Sequence, residues 1–186
     1  MERLSRNNII LVGFMGSGKT SVGKALAKRM GYYFLDTDAR IEQEEQQTIP
    51  AIFDTKGEAY FRDRETLLLN SFLTSLGDTV LSTGGGIPIR EQNRELLKRL
   101  GFVVFLKASD DTIIRRLRGD TSRPLLAGEA LEDKVERLQR ERGPIYSASS
   151  HYIIAADDLS PTELADRIKE EYHKFLTVNP AHDWTN

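Results

Sequence analysis

Apolar residues fall along this chain in two patterns: short unbroken runs, and longer stretches where they recur every three or four positions. The runs are Ile9 to Val12 (IILV), Tyr32 to Leu35 (YYFL), Thr79 to Ser82 (TVLS), Phe102 to Leu106 (FVVFL) and His151 to Ala155 (HYIIA). A run without polar alternation suits a strand buried on both faces, as in a parallel sheet. Between the runs a helical period takes over. Val22, Leu26, Ala27 and Met30 share one face of a helix closed by Gly31. Leu96, Leu97 and Leu100 mark a helix opened by Pro88, and Leu164, Ile168 and Tyr172 mark a last helix opened by Pro161.

The segment after the second run reads as mostly helical, with Ile41, Ile49, Ile52, Phe53, Tyr60, Phe61, Leu67, Leu68 and Phe72 spaced for packing and interruptions near Pro50 and Gly57. A helix from about Asp110 to Leu117 leads into RGDTSRPLLAGEA, whose proline and glycine content predicts a mobile loop, a lid over about 116–130. The helix from about Leu131 to Glu141 is expected to end at Gly143-Pro144, and residues from about 178 to 186 read as a loose tail. Strands alternating with helices imply a three-layer α/β fold, a five-stranded parallel sheet covered on both faces, in one domain spanning 1–186.

Composition narrows the partners. The chain has 186 residues, 39% hydrophobic and 29% charged, enough for one substantial core. Its 26 basic and 28 acidic residues leave a formal charge of −2, with no basic field for nucleic acid and no polybasic patch for lipid. A small-molecule partner and a monomer are expected. Cysteine is absent, which excludes disulfides and thiol chemistry and suits the cytoplasm. The N-terminal MERLSRNN carries two arginines, but Gly13 and Gly16 interrupt the apolar run behind it, so no signal peptide or membrane span is expected.

The most specific chemistry lies at residues 9–20, IILVGFMGSGKT, which fits GxxxxGKT without mismatch. Gly13, Gly16 and Gly18 let consecutive N–H groups turn inward as an anion nest at a helix start, where dipole and free amides favour phosphate. Lys19 then reaches the β- and γ-phosphates, and the Thr20 hydroxyl is placed to ligate magnesium. A nucleoside triphosphate is the expected ligand.

Four further clusters could complete a site. Asp36 and Asp38 flank Thr37 at a strand end, so in an extended segment both point toward the loop edge, one for the magnesium shell and one for a substrate hydroxyl. The plainer alternative makes Asp38 the cap of the next helix. Arg62 in FRDRE stands three residues before Glu65, a spacing that lets Glu65 brace a carboxylate-binding guanidinium; a solvated charge is the competing reading. Gly84, Gly85 and Gly86 offer three amides to an oxyanion, or else make a flexible turn. Arg123 in the lid could close over the transferring phosphoryl group, and Arg142 could be no more than a helix-end charge.

Taken together, GFMGSGKT, LDTD, GEAYFRDRE, the triple glycine, RPLLAG and RGPIY resemble shikimate kinase, in order and over nearly the whole chain. The resemblance implies the nucleoside monophosphate kinase fold, with a substrate-binding helical region over about 36–64 and a lid. It implies transfer of a phosphoryl group from ATP, with magnesium, to the 3-hydroxyl of shikimate, yielding shikimate 3-phosphate and ADP on the route to chorismate and the aromatic amino acids. Carried over by position, the loop residues including Ser17 and Lys19 bind phosphates, and Thr20 and Asp36 serve the metal. Asp38 holds the substrate hydroxyl. Arg62, Arg142 and the amides of Gly84 to Gly86 bind the shikimate carboxylate, and Arg123 closes from the lid. Adenine is implied to lie between Arg116 and Pro161. Where some members carry an arginine just before that proline, this chain has Asp157, Asp158 and Leu159.

A gluconate-type kinase of the same fold would share the phosphate loop without needing FRDRE, the triple glycine and RGPIY together. Asp54-Thr55-Lys56-Gly57 spells the DxxG element of GTPases, but no buried strand precedes it and no NKxD motif occurs. A nucleotide-binding regulator without turnover would not need Asp38 and Arg123.

Overall fold

The computed structural model describes residues 7–118 and 130–179. Its order is β1 (Ile9–Val12), α1 (Lys19–Met30), β2 (Tyr33–Asp36), α2 (Thr37–Glu45), α3 (Ile49–Ser75) and β3 (Thr79–Ser82), then α4 (Glu91–Leu100), β4 (Phe102–Lys107), α5 (Asp110–Leu117), α6 (Leu131–Ser149), β5 (Tyr152–Ala155) and α7 (Pro161–Val178). The five strands form one parallel sheet in the order β2-β3-β1-β4-β5.

Alternate residues of each central strand feed opposite cores, as a period of two requires. Ile10, Val12, Leu81, Val103 and Phe105 pack against α3, α4 and α6, while Ile9, Leu11, Val80, Phe102, Val104 and Leu106 pack against α1 and α7. Both layers are apolar, which is why the central runs show no alternation. Asn8 sets the register at the sheet's start: its amide donates to Leu100 O (2.9 Å) and its carbonyl accepts from Thr79 N (3.1 Å).

The structure departs from the sequence reading in several places. β2 and β5 are edge strands, not buried ones, with Tyr33 and Ile153 exposed. Pro88 does not open a helix. It lies in a 3-10 turn, Ile87–Ile89, because Ile87 N and Ile89 N bond back to Gly84 O and Gly86 O; α4 starts only after Arg90. Nor does α6 stop at Gly143-Pro144. Val135, Leu138, Arg142, Tyr146 and Ser149 form one buried stripe across the proline, and burying that stripe outweighs the missing N–H. The helical region is interrupted near Pro50, at the start of α3, and at Gly57, a kink with φ of 84°. The DxxG match therefore sits inside α3 rather than in a loop after a strand. α7 runs through Val178, shortening the expected tail. Most of the expected lid, with Arg123, lies outside the described residues, as do residues 180–186 with Trp184. No described helix is long and apolar enough to cross a membrane.

Candidate active site

The candidates at strand ends all leave the same edge of the sheet. Strands running in parallel discharge their loops at one end, and with β1 central the phosphate loop takes the middle. Asp36 ends β2, Asp38 follows it, and Gly84 to Gly86 follow β3, on one side of it. Ser109 after β4 and Ala156 to Ser160 after β5 lie on the other.

A cleft of about 650 Å³ lies over this edge, lined among others by Gly16, Gly18, Lys19, Thr20, Asp36, Asp38, Arg62, Glu65, Gly84 to Gly86, Arg116 and Arg142. Pro161 is not among its lining residues. The loop needs its glycines for backbone reasons: Gly16 and Gly18 have φ of 78° and 98°, and Gly18 is the left-handed cap of α1. The buried Lys19 ammonium donates to the carbonyls of Gly13 (2.8 Å) and Phe14 (2.9 Å), so it is held at the loop's centre. The Ser17 hydroxyl is buried with no hydrogen-bond partner.

Asp36 does two things at once. One oxygen accepts from Asp38 N (3.0 Å) and Ala39 N (3.3 Å), capping α2, and the other accepts from the Thr20 hydroxyl at 3.2 Å. The cap is therefore Asp36 and not Asp38. Asp38 belongs to the first turn of α2 rather than to an extended segment, yet still lines the cleft. One hydroxyl and one carboxylate side by side form a hard oxygen pair suited to magnesium, which keeps most of its shell for water and phosphate. No described group of three or more His, Cys, Asp or Glu could hold a metal without such help.

The triple glycine works differently from the sequence expectation of three open amides. Gly84 N donates to the Thr37 hydroxyl (2.8 Å), so that amide is already used. A β-carbon on Gly84 would overlap the Asp38 carboxylate, and one on Gly86 would overlap the Arg62 guanidinium. The missing side chains thus let an acid and a base lie against the backbone.

Arg62 is gripped from both sides. Its Nη1 donates to Glu65 (2.8 Å), and Nε and Nη2 reach Glu58 (3.2 and 2.9 Å). Burial works against its charge, but the two carboxylates outweigh that and hold its pKa above the ordinary value. The Glu65 carboxyl, 1% exposed, is pushed up to about 7 because burial outweighs the attraction of Arg62, with Asp38 adding repulsion. Its second oxygen is buried without a hydrogen-bond partner.

Arg142, only 8% exposed, also brings a buried Nη1 without a hydrogen-bond partner. One turn on, the Tyr146 hydroxyl donates to Gly85 O (2.6 Å), tying α6 to the glycine turn. Burial, partly offset by Arg142, raises the Tyr146 pKa to about 12, so it stays a donor. Chemically the cleft offers a phosphate loop, an oxygen pair for a metal, an acid at Asp38, and two buried guanidiniums.

Sequence reasoning missed three of these contacts. Glu58, four residues before Arg62, was findable from helical spacing. Thr37 on Gly84 and Tyr146 on Gly85 join residues 47 and 61 positions apart, which no local pattern reveals.

The family model described as shikimate kinase matches residues 15–173. A shikimate kinase from Thermodesulfovibrio yellowstonii is 40% identical over 168 residues, 90% of this chain and 96% of that protein. One from Acinetobacter baumannii (strain AYE) is 45% identical over 161 residues, 87% and 89% of the two chains. The solved structure of Acinetobacter baumannii shikimate kinase in complex with shikimate superimposes with a TM-score of 0.87 at 41% identity, covering 91% of this chain and 94% of that one.

Proposed function

The chain belongs to the shikimate kinase family, and we propose that its cleft moves the γ-phosphoryl group of ATP to the 3-hydroxyl of shikimate, giving shikimate 3-phosphate and ADP. It is an ATP-dependent phosphotransferase acting on an alcohol group, with the P-loop kinase fold. The observation that carries the substrate assignment is the pair of buried guanidiniums, Arg62 and Arg142, lining one cleft with Asp38 and the phosphate loop. That set suits a small acceptor bearing both a carboxylate and a hydroxyl.

In this reading the loop from Gly13 to Thr20, with Ser17 and Lys19, holds the phosphates. Thr20 and Asp36 hold magnesium, which when bound neutralises charge on the phosphoryl oxygens. Arg62 and Arg142 fork the acceptor's carboxylate, assisted by the amides of Gly85 and Gly86, and so fix which hydroxyl faces the nucleotide. Asp38, set against Gly84, accepts a hydrogen bond from that hydroxyl. In a loose phosphoryl-transfer transition state the proton leaves late, so Asp38 acts first by orientation and afterwards as proton acceptor. Arg116 and Pro161 are assigned to the adenosine end. Arg123 is assigned to the transferring phosphoryl group, closing with the lid and keeping ATP from water. Residues 36–64 serve as the acceptor-binding region of a single-domain, monomeric, cytoplasmic enzyme.

The test is ADP release by the purified protein with magnesium and ATP, alone, with shikimate, and with gluconate. Strong stimulation by shikimate alone is expected. Stimulation by neither acceptor, with ATP still bound, would leave the phosphate loop standing and remove the substrate.

A further inference from the structure

The order of the strands gives the cleft a direction. Of the acceptor residues, Asp38 follows β2, the glycine turn follows β3 and Arg62 lies on α3 between them, while α6, which carries Arg142, is tied to that turn by Tyr146. A nucleotide whose terminal phosphate faces this group must therefore place its nucleoside toward β4 and β5. On that side Asp157, in the turn after β5, accepts from both the N–H (2.9 Å) and the hydroxyl (2.8 Å) of Ser109. Ser109 is the cap of α5, its hydroxyl accepting from Thr112 N. Two turns along the same helix, Arg116 spans the gap between the phosphate loop and the β5 turn: Nη1 donates to Gly16 O (3.0 Å) and Nη2 to Ala156 O (3.4 Å). The start of α5 is thus fastened to the turn that Arg116 also reaches.

We propose that Asp157 is a positioning residue for the nucleoside half of ATP, acting through Ser109 to set how α5 presents Arg116 beside the phosphate loop. The proposal rests on the nucleotide orientation given above. Its physical basis is leverage. Arg116 is exposed and both of its acceptors are backbone carbonyls, so apart from those two bonds and the attraction of the Asp157 charge its position is set by the placement of α5. A bond to a charged carboxylate holds that placement more firmly than a neutral cap would. An Asp157 that merely stabilised the helix would affect all ligands alike.

Calorimetric titration with ADP and with inorganic pyrophosphate, each with magnesium, separates the two halves of the nucleotide. Asp157→Ala is expected to weaken ADP roughly tenfold, as loss of a charged hydrogen bond would, and to leave pyrophosphate within about twofold. Asp157→Asn keeps an acceptor oxygen for Ser109 but loses the charge, so its ADP affinity should fall between those of wild type and Asp157→Ala. Equal weakening of both ligands, or unchanged ADP binding in Asp157→Ala, overturns the proposal. If that variant does not fold, Ser109→Ala, which loses only the hydroxyl, should still weaken ADP selectively, and unchanged ADP binding there overturns it equally. Wild-type protein that bound ADP no tighter than pyrophosphate would instead refute the nucleotide orientation itself, and the proposal with it.

Discussion

The Arg62 guanidinium occupies the space that a β-carbon on Gly86 would need. Gly86 has an ordinary φ of −92°, so the requirement for glycine there comes from this close approach and not from the backbone. Gly86→Ala is therefore expected to displace Arg62 and raise the KM for shikimate about tenfold or more, while the KM for ATP changes little. Gly85→Ala should do less, because its β-carbon would meet nothing closer than 3.5 Å. Steady-state kinetics with each substrate varied in turn checks both.

Asp38 and Arg142 should fail in different ways. Asp38→Asn keeps shape but loses the negative charge that aligns the hydroxyl, so kcat should fall about a hundredfold or more with ATP binding preserved. Arg142→Ala removes a buried partner of the carboxylate, a loss of roughly 2 to 5 kcal/mol, so the shikimate KM should rise at least about thirtyfold with the ATP KM nearly unchanged. Near-normal turnover in the first, or an unchanged KM in the second, would remove that residue from its role.

The double duty of Asp36 can be split by two substitutions. Asparagine is a good helix cap, so Asp36→Asn should melt like wild type yet need more magnesium for half-maximal rate. Asp36→Ala loses the cap as well, at about 1 kcal/mol, which lowers the melting temperature by about 2–4 °C. Magnesium titrations and thermal melts on the same preparations test this, and an unaltered magnesium requirement in Asp36→Asn would detach Asp36 from the metal.

Glu65 should leave a mark on stability against pH. Its carboxyl goes from an ordinary value of 4.5 to about 7 in the folded protein, so between those values the folded state holds a proton that the unfolded state has lost. Stability from this group is present below pH 4.5 and is lost as pH rises through 7. Glu65→Gln, which cannot ionise, lacks that loss. The melting temperature of wild type relative to Glu65→Gln should therefore drop from about pH 4.5 to about pH 7 and level off above; a flat difference would mean that Glu65 stays ionised throughout.

Local chemistry carried most of the fold and the phosphate half of the site. Ile9 to Val12 followed by GFMGSGKT announces strand, nest and helix within one short segment, because hydrogen bonding there is between near neighbours and glycine's φ is a property of the residue itself. The three central strands were legible because burial on both faces leaves an unbroken run with little polar alternation in the sequence. Where a run lies in the sheet was not legible, so Tyr32 to Leu35 read like a buried strand until the strand order put β2 at an edge.

Only the tertiary structure decided the acceptor half. Gly84 and Gly86 read as a source of amides, but Asp38 and Arg62 come from another strand end and another helix to lie against them, and a contact across that separation leaves no periodic trace. Pro144 read as a stop because its missing N–H is a local fact. The helix runs through it because Arg142 and Tyr146, on either side, bury into the cleft and onto Gly85, and that packing energy exists only once the sheet has brought the two segments together.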